Sequence, residues 1–379
     1  MKVNLISEAE MINNFGEGIW AVYRQQSRGL EKAGVKVIYN KFVNDLSDVV
    51  HIHTFGTLAY MKASLTKKPV VISAHTLPKE VIGSVAHSSA VSDFFHYYLP
   101  YFYSKADVIV APSEFTKKSL EEHGIKAPIF VVSNGVDTKK FRFSTGGRRE
   151  FRKKYGIRMD ELMVYCVGQV ILRKGLEKFI RLAREFPKIK FVWIGRRPFG
   201  NLSGDNRRVG RLVSGAPKNV IFTGFVNDIV AAHSAGDIFL MPTSFENECI
   251  AILEAASVGR AILVSNLPTF DGWMNNGVNC RKSNKYEEYR KNLSVLIKQQ
   301  VVRRRLGREA RKTAKKKDME IVSRNLINVY KTAMTNETNT GDIGITFGQK
   351  FVVLLALLLF AAAGLLFFIK DRVIPRFSN

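Results

Sequence analysis

Pro242-Thr-Ser-Phe-Glu246-Asn-Glu-Cys-Ile-Ala-Ile-Leu-Glu254-Ala-Ala-Ser-Val-Gly259-Arg-Ala-Ile-Leu-Val-Ser265 decides how this chain folds. An apolar strand ends at Pro242, a loop carries Glu246, and a helix begins near Glu248 or Cys249. The helix runs to Gly259, and Ala261–Val264 supplies the next strand. Strand, loop, helix and strand in that order make a βαβ unit. The N–H groups at such a helix start are able to hold a diphosphate. Glu254 lies about one and a half turns into the helix, about 7–8 Å along its axis, which is roughly the reach from a diphosphate to its ribose. Glu246 lies on the other side, toward a sugar. Either glutamate alone reads as a solvated charge. The whole string, with the small Ala255, Ala256 and Gly259 in order, reads as a ligand loop. Its candidate donor contacts are Glu246, Asn247, Glu248, Cys249, Ile250 and Glu254.

The same alternation extends in both directions. Upstream, Leu162–Gly168, Lys190–Ile194, Val220–Thr223 and Ile238–Pro242 read as strands, with Leu176–Phe186 and Asn227–Ala235 as helices. A polar, basic stretch precedes them. Before it, Lys2–Ile6, Lys36–Tyr39, Val49–His53, Val70–Ser73, Val108–Ala111 and Ile129–Ser133 read as a second set of short buried strands. Ile19–Ala33 and Glu114–His123 have helical periodicity between them. The fold class is therefore α/β, with two doubly wound, Rossmann-like domains expected to face a cleft at the carboxyl ends of both sheets. Periodicity alone equally fits a dehydrogenase or a periplasmic-type binding protein.

At 379 residues the chain accommodates two domains and a tail. Cys166, Cys249 and Cys280 are far apart and show no metal or disulfide spacing, which fits a reducing compartment. Met1–Ser7 is too short an apolar run for a signal peptide. The net charge of +25 attracts anions such as nucleic acid, acidic lipid or phosphorylated substrates. Its densest block, Arg303 to Lys317, reads as a solvated helix face or as a face adhering to anionic lipid. No nucleic-acid module surrounds it, so no nucleic-acid partner is expected.

Phe351–Ile369 is nineteen residues without a polar or charged side chain, bracketed by Lys350 and Lys370. A helix of that length covers about 28 Å, close to a bilayer core. A single transmembrane helix is expected there. Lys370, Arg372 and Arg376 after the span would by local charge bias place the C-terminus in the cytoplasm. The large preceding region lacks a signal and is built for a cytosolic substrate. The expectation is a cell-membrane, single-pass protein with its catalytic domains on the cytoplasmic side.

Several segments together resemble the retaining glycosyltransferases of family 4, which have the GT-B fold. Besides the 242–265 string, Asn14-Phe-Gly16-Glu-Gly18 is similar to the family's N-terminal glycine loop. Ser73-Ala-His75-Thr-Leu-Pro78 resembles its His-bearing strand end, and Ala111-Pro-Ser113-Glu-Phe its "PS" turn. Ser133-Asn-Gly-Val-Asp137 resembles its NGVD segment, and Gly168-Gln-Val-Ile-Leu-Arg173-Lys174-Gly175 its basic donor loop. The resemblance covers about residues 1–330. The wording around His75, the aromatic stretch after it, and the 246–255 string look like diacylglycerol and glycosyl-diacylglycerol glycosyltransferases. A C-terminal span departs from those relatives.

This resemblance implies a hexose transferred from a nucleotide-diphosphate sugar, UDP-glucose or UDP-galactose first, to a membrane lipid such as diacylglycerol or glycosyl-diacylglycerol. A polyprenyl-, inositol- or glycan-linked acceptor is the alternative within enzymes. A membrane-tethered, non-catalytic nucleotide-sugar scaffold is the alternative outside them. By the same resemblance His75, Arg173, Lys174 and Glu246 are the candidate catalytic residues. Gly16 and Gly18 join the donor contacts as points of close backbone approach. Many family members carry Arg directly after the strand glycine. Gln169 stands there, which leaves Arg173 as the arginine expected on the diphosphate. The sequence has no Asp-x-Asp, so no metal and no cofactor is expected, with the leaving group stabilised by these cations and a helix N-terminus.

The aromatic run Phe94, Phe95, Tyr97, Tyr98, Tyr101 and Phe102 is expected to contact acceptor or an anionic membrane surface, although half of it fits a domain core equally well. The domain boundaries expected are 1–143 for the acceptor domain, 144–160 for a linker and 161–317 for the nucleotide-sugar domain. A helix at 318–334 then returns to the first domain, followed by a polar linker (335–350), the span (351–369) and a short basic tail (370–379).

Overall fold

The computed structural model describes residues 1–10, 17–78, 89–197 and 206–335. The expected span at 351–369, Gly16 and the side chain of Phe94 lie outside the described residues. Among the described residues no helix is long and apolar enough to cross a membrane. The chain forms two compact units. Within the described residues the first comprises 1–78, 89–133 and 322–335, and the second 134–321.

The first unit is a six-stranded parallel sheet of β1 (Lys2–Ile6), β2 (Lys36–Tyr39), β3 (Val49–Ile52), β4 (Val70–Ser73), β5 (Val108–Ala111) and β6 (Ile129–Val131). Its order is β2-β1-β3-β4-β5-β6. Helices α1 (Glu17–Lys32), α2 (Thr57–Leu65), α3 (Ser89–Tyr103) and α4 (Glu114–Glu122) connect the strands. Strands β3, β4 and β5 are buried along their whole length, as expected for a sheet covered on both faces. Ser113, the serine of the "PS" turn, caps α4 by accepting the Thr116 N–H at 3.2 Å.

Glycine occupies the N-cap of α2, so no side chain caps the helix from that position. Glu8 does it from across the sheet, accepting the N–H groups of Gly56 (2.8 Å) and Leu58 (2.7 Å).

The second unit repeats the design. Its strands are β7 (Met163–Val167), β8 (Lys190–Ile194), β9 (Val220–Gly224), β10 (Ile238–Met241), β11 (Ala261–Ser265) and β12 (Arg281–Ser283). Their order, β12-β11-β10-β7-β8-β9, is the doubly wound Rossmann order, which reverses between β7 and β10. The helices are α5 (Thr145–Lys154), α6 (Leu176–Glu185), α7 (Asn206–Ser214), α8 (Ile229–Ala235), α9 (Ile250–Ser257), α10 (Tyr286–Lys298) and α11 (Gln300–Lys316), and α12 (Met319–Thr335) follows.

Two expectations change here. Residues 144–160 do not form a linker. Ser144 caps α5 by accepting the Gly147 N–H, and Phe151 and Arg152 of that helix are buried within the second unit. The Arg152 guanidinium donates to the carbonyls of Ala235, Arg158 and Glu161 and to the Asp237 carboxylate, so its charge is internal. The aromatic run is also reassigned. Phe95, Tyr98, Tyr101 and Phe102 are buried in the first unit's core, and the Tyr98 hydroxyl donates to the Phe55 carbonyl. Tyr97, 47 % exposed, faces solvent. An α-helix sends neighbouring residues to different faces, so a run of ten aromatic and apolar residues is mostly core.

Candidate active site

In the second unit the site begins where the sheet order reverses. Strand β7 gives way to Gly168 and then to a 3₁₀ turn, Leu172–Lys174. Strand β10 gives way to the loop 242–249 that leads into α9. Gly175 locks the two loops together. Its φ is +84°, and a Cβ there would stand 2.2 Å from the Pro242 carbonyl oxygen. The Arg173 carbonyl accepts the Thr243 hydroxyl (3.1 Å) and the Ser244 N–H (2.9 Å). The buried Arg173 guanidinium donates to the Phe245 carbonyl at 2.8 Å.

Beside this lacing the Lys174 ammonium donates to Glu246 Oε1 at 2.5 Å, with side-chain exposures of 13 % and 4 %. Burial by itself favours the neutral amine. The Glu246 charge outweighs it, and the Lys174 pKa is raised above the usual lysine value. The lysine therefore carries its proton in a buried place. One of its three donors is committed to Glu246, and no other partner is present among the described residues.

The remaining donor-loop residues separate by role. Glu248 is 1 % exposed and turns into the unit, accepting the Asn134 N–H (2.6 Å) and the Lys317 ammonium (2.8 Å). That contact fastens the Asn-Gly-Val-Asp segment to the end of α11. Asn247 offers its carbonyl to the Thr269 hydroxyl. Cys249 has φ +64° and starts α9 without a side-chain cap, leaving Ile250 as the first helical residue. Its thiol is held protonated, with a pKa pushed by burial up to about 12. Glu254 is buried and pairs with His233 at 3.2 Å, and His233 meets the Tyr165 hydroxyl at 3.0 Å. Sequence reasoning missed His233. The signal available was a lone histidine on the short helix Ile229–Ala235, without spacing to a partner.

In the first unit His75 lies just past β4. Its Nε2 meets His53 Nδ1 at 3.0 Å, and the two rings are nearly parallel at 22°. His51 is held by Ser73 (2.8 Å) and by Tyr330 of α12 (2.7 Å). Burial lowers the His51 pKa to about 3 and the His53 pKa well below the ordinary value. Both are neutral rings, and His53 fixes the orientation of His75. Gly18 is exposed, and no atom of the described residues lies within 4 Å of where its Cβ would stand.

Rossmann-type sheets, with basic and acidic loops joined at the reversal of strand order and a helix start beside them, form a candidate ligand site. The chain is a glycosyltransferase of the GT-B fold. It belongs to the glycosyltransferases of group 1 and family 4: residues 147–313 match the family Glycosyl transferases group 1, and residues 41–140 match Glycosyltransferase Family 4. It is 29 % identical over 279 residues to a processive diacylglycerol alpha-glucosyltransferase of Acholeplasma laidlawii, covering 72 % of this chain and 81 % of that protein. It is 27 % identical to an alpha-galactosylglucosyldiacylglycerol synthase of Streptococcus pneumoniae, covering 71 % and 74 %. The solved structure of Anabaena HepE in complex with UDP-glucose shares the fold, with a TM-score of 0.72 at 16 % identity over 88 % of this chain and all of that one.

Proposed function

We propose that this protein transfers glucose or galactose from its UDP ester to diacylglycerol or a glycosyl-diacylglycerol, with retention at the anomeric carbon. The observation that carries this reading is the Lys174–Glu246 pair at the strand-order reversal, a protonated buried lysine with donors to spare. The likeness to two enzymes named for diacylglycerol glycolipids supports the acceptor class. In this reading Lys174 and Arg173 hold the diphosphate together with the N–H groups opening α9, and Glu254 meets the ribose. Glu246 orients both Lys174 and the sugar. The acceptor hydroxyl attacks the anomeric carbon on the face the phosphate leaves. The carbon–phosphate-oxygen bond breaks, and the hydroxyl proton passes to the departing phosphate oxygen. His75, its ring set by His53, donates a hydrogen bond to the sugar. Lys174 stabilises charge that grows on the leaving group, the place where a preorganised cation acts most strongly. No metal or cofactor enters the scheme. In this reading the protein is anchored at the cell membrane with its catalytic domains on the cytoplasmic side.

The test is incubation of the detergent-solubilised chain with radiolabelled UDP-glucose or UDP-galactose and diacylglycerol or glucosyl-diacylglycerol, followed by organic extraction. The expected result is label in a new glycolipid. An unlabelled organic phase with free sugar released from the donor rejects the lipid acceptor. No consumption of UDP-, GDP- or ADP-sugars rejects the catalytic reading.

A further inference from the structure

The segment between β2 and β3, residues 40–48, is a loop held from beneath by buried polar groups. The Asn4 side chain donates to the Lys41 carbonyl (2.7 Å) and to Asp45 (2.7 Å), and it accepts the Lys41 N–H. Asn40 accepts the Ser7 N–H at 2.8 Å. Lys62 of α2 pairs with Asp45 at 2.7 Å, and both side chains are less than a tenth exposed. Asn40 and Asn44 hold left-handed φ angles of 49° and 51°, which asparagine tolerates. This is a fixed loop, yet Val43 and Leu46 on either side of Asp45 are 73 % and 74 % exposed. On α2, Met61 and Leu65 flank the same Lys62 at i,i+4 spacing and are 46 % and 75 % exposed. Apolar side chains that open add nothing to the fold, and here two elements joined by a buried ion pair both carry them.

The charge near them in the chain is mostly positive. Lys41 precedes Val43, and Lys67 and Lys68 follow Leu65, all exposed. From residue 32 to residue 68 the acidic residues are Asp45, already paired with Lys62, and Asp48, which accepts the Lys2 N–H. Apolar tips ringed by lysines match an anionic bilayer surface. At such a surface apolar tips enter the acyl boundary while ammonium groups meet the headgroups.

We propose that the loop 40–48 and the exposed face of α2 form the surface by which the first unit docks on an anionic phospholipid bilayer. This rests on the membrane-lipid acceptor reading above and relocates the contact from the aromatic helix α3, whose side chains are largely core.

The full chain, reconstituted in phosphatidylcholine vesicles with and without phosphatidylglycerol, tests it. An environment-sensitive fluorescent residue is placed by stop-codon suppression at position 46, and in a control chain at the exposed position 122. The expected result is a blue-shifted emission at 46, quenched by spin-labelled lipid, strengthened by phosphatidylglycerol and weakened by salt, with water-like emission at 122. Water-like emission at 46 in vesicle-bound chain overturns the proposal. So does a shift that follows protein concentration without vesicles, because a second copy then covers the patch. Val43→Glu with Leu46→Glu is expected to lower glycolipid formation on vesicles about tenfold, with donor hydrolysis in detergent unchanged. Equal loss in both assays overturns the docking role. Because the fluorescence needs no turnover, a buried label without any glycolipid product defeats the acceptor reading and leaves the docking surface standing.

Discussion

Each unit holds a lysine–carboxylate pair largely out of water, Asp45–Lys62 in the first and Lys174–Glu246 in the second, and these two pairs are built differently. In the first unit Asp45 accepts from Lys62, from the Asn4 side chain and from the Ser47 N–H. Burial alone would raise its pKa. These donors outweigh it and hold the carboxyl at about 2. In the second unit Lys174 and Glu246 have each other and, among the described residues, no further partner. Taking two charges out of water costs several kcal/mol per ion unless the remaining donors and acceptors are satisfied. The first pair meets that condition within the fold. The second does so when a ligand brings acceptors to Lys174. A closed pair holds a loop, and an open pair is a site.

Breaking the open pair should produce the largest effect. Lys174→Ala is expected to lower donor turnover by about 10²–10³-fold, the loss typical when one preorganised donor to a developing anion is removed. It should also lower the melting temperature, because Glu246 is left charged and buried. Lys174→Met with Glu246→Leu removes both charges, and this double variant should melt close to the parent while staying inactive. Initial rates of UDP-sugar consumption and thermal melts read the two quantities separately. Full recovery of turnover in the double variant would make this pair structural, like Asp45–Lys62, and erase the distinction.

Gly175→Ala probes the lacing that presents the open pair. The new Cβ meets the Pro242 carbonyl oxygen at 2.2 Å, and the φ of +84° suits glycine. Left-handed backbone costs about 1–2 kcal/mol for an L-residue and overpacking about 1–3 kcal/mol, so a loss of about 3 kcal/mol is expected in denaturant melts. A variant as stable as the parent would mean that the loops after β7 and β10 are not held against each other at this point.

The parallel sheets were legible because their strands are short apolar runs bounded by glycine, proline and polar turns. Lys2–Ile6, Lys36–Tyr39, Val70–Ser73, Val108–Ala111 and Lys190–Ile194 stand where the residues put them. Strand β12 was not legible, since Arg281-Lys-Ser283 has no apolar run and takes its conformation from pairing with β11. Helix α5 was hidden because its sequence is strongly basic, and the burial of Arg152 depends on the carbonyls of Ala235, Arg158 and Glu161. In the donor loop the string announced a ligand site, but it did not separate Glu246 from Glu248. Two residues apart, one turns to Lys174 and the other to Asn134 and Lys317, and that depends on a backbone direction set by contacts far along the chain. The exposed Val43 and Leu46 were invisible for a related reason: an apolar residue in sequence looks the same inside and outside.

The closed pair makes the opposite prediction from the open one. Asp45→Asn should cost about 2 kcal/mol of stability at pH 7 with no loss of donor turnover. The folded pKa of about 2 lies below the ordinary aspartate value, so the pair's contribution is present above about pH 4 and is lost as the pH falls through 2. Urea melts of parent and variant should therefore differ at pH 7 and converge at pH 2. A gap that persists at pH 2 would assign the stability to the Asn4 and Ser47 hydrogen bonds rather than to the charge.

Glu254 lies between the two cases and should give the smallest effect. One of its oxygens is committed to His233, which Tyr165 holds in turn, so the pair is closed on one side. Glu254→Gln keeps the shape and a hydrogen-bonding oxygen while removing the charge. The expected change is about 1 kcal/mol, as for a single hydrogen bond to a charged group weakened to a neutral one. If the carboxylate serves a ribose hydroxyl, that change falls on donor affinity and calorimetric titration with UDP shows it, while the melt stays near the parent. If it serves His233, the change falls on the melt and UDP binds as before. Glu254 then joins Asp45 among the closed pairs, and the diphosphate-side contacts Arg173, Lys174 and the start of α9 remain to bind the nucleotide without it.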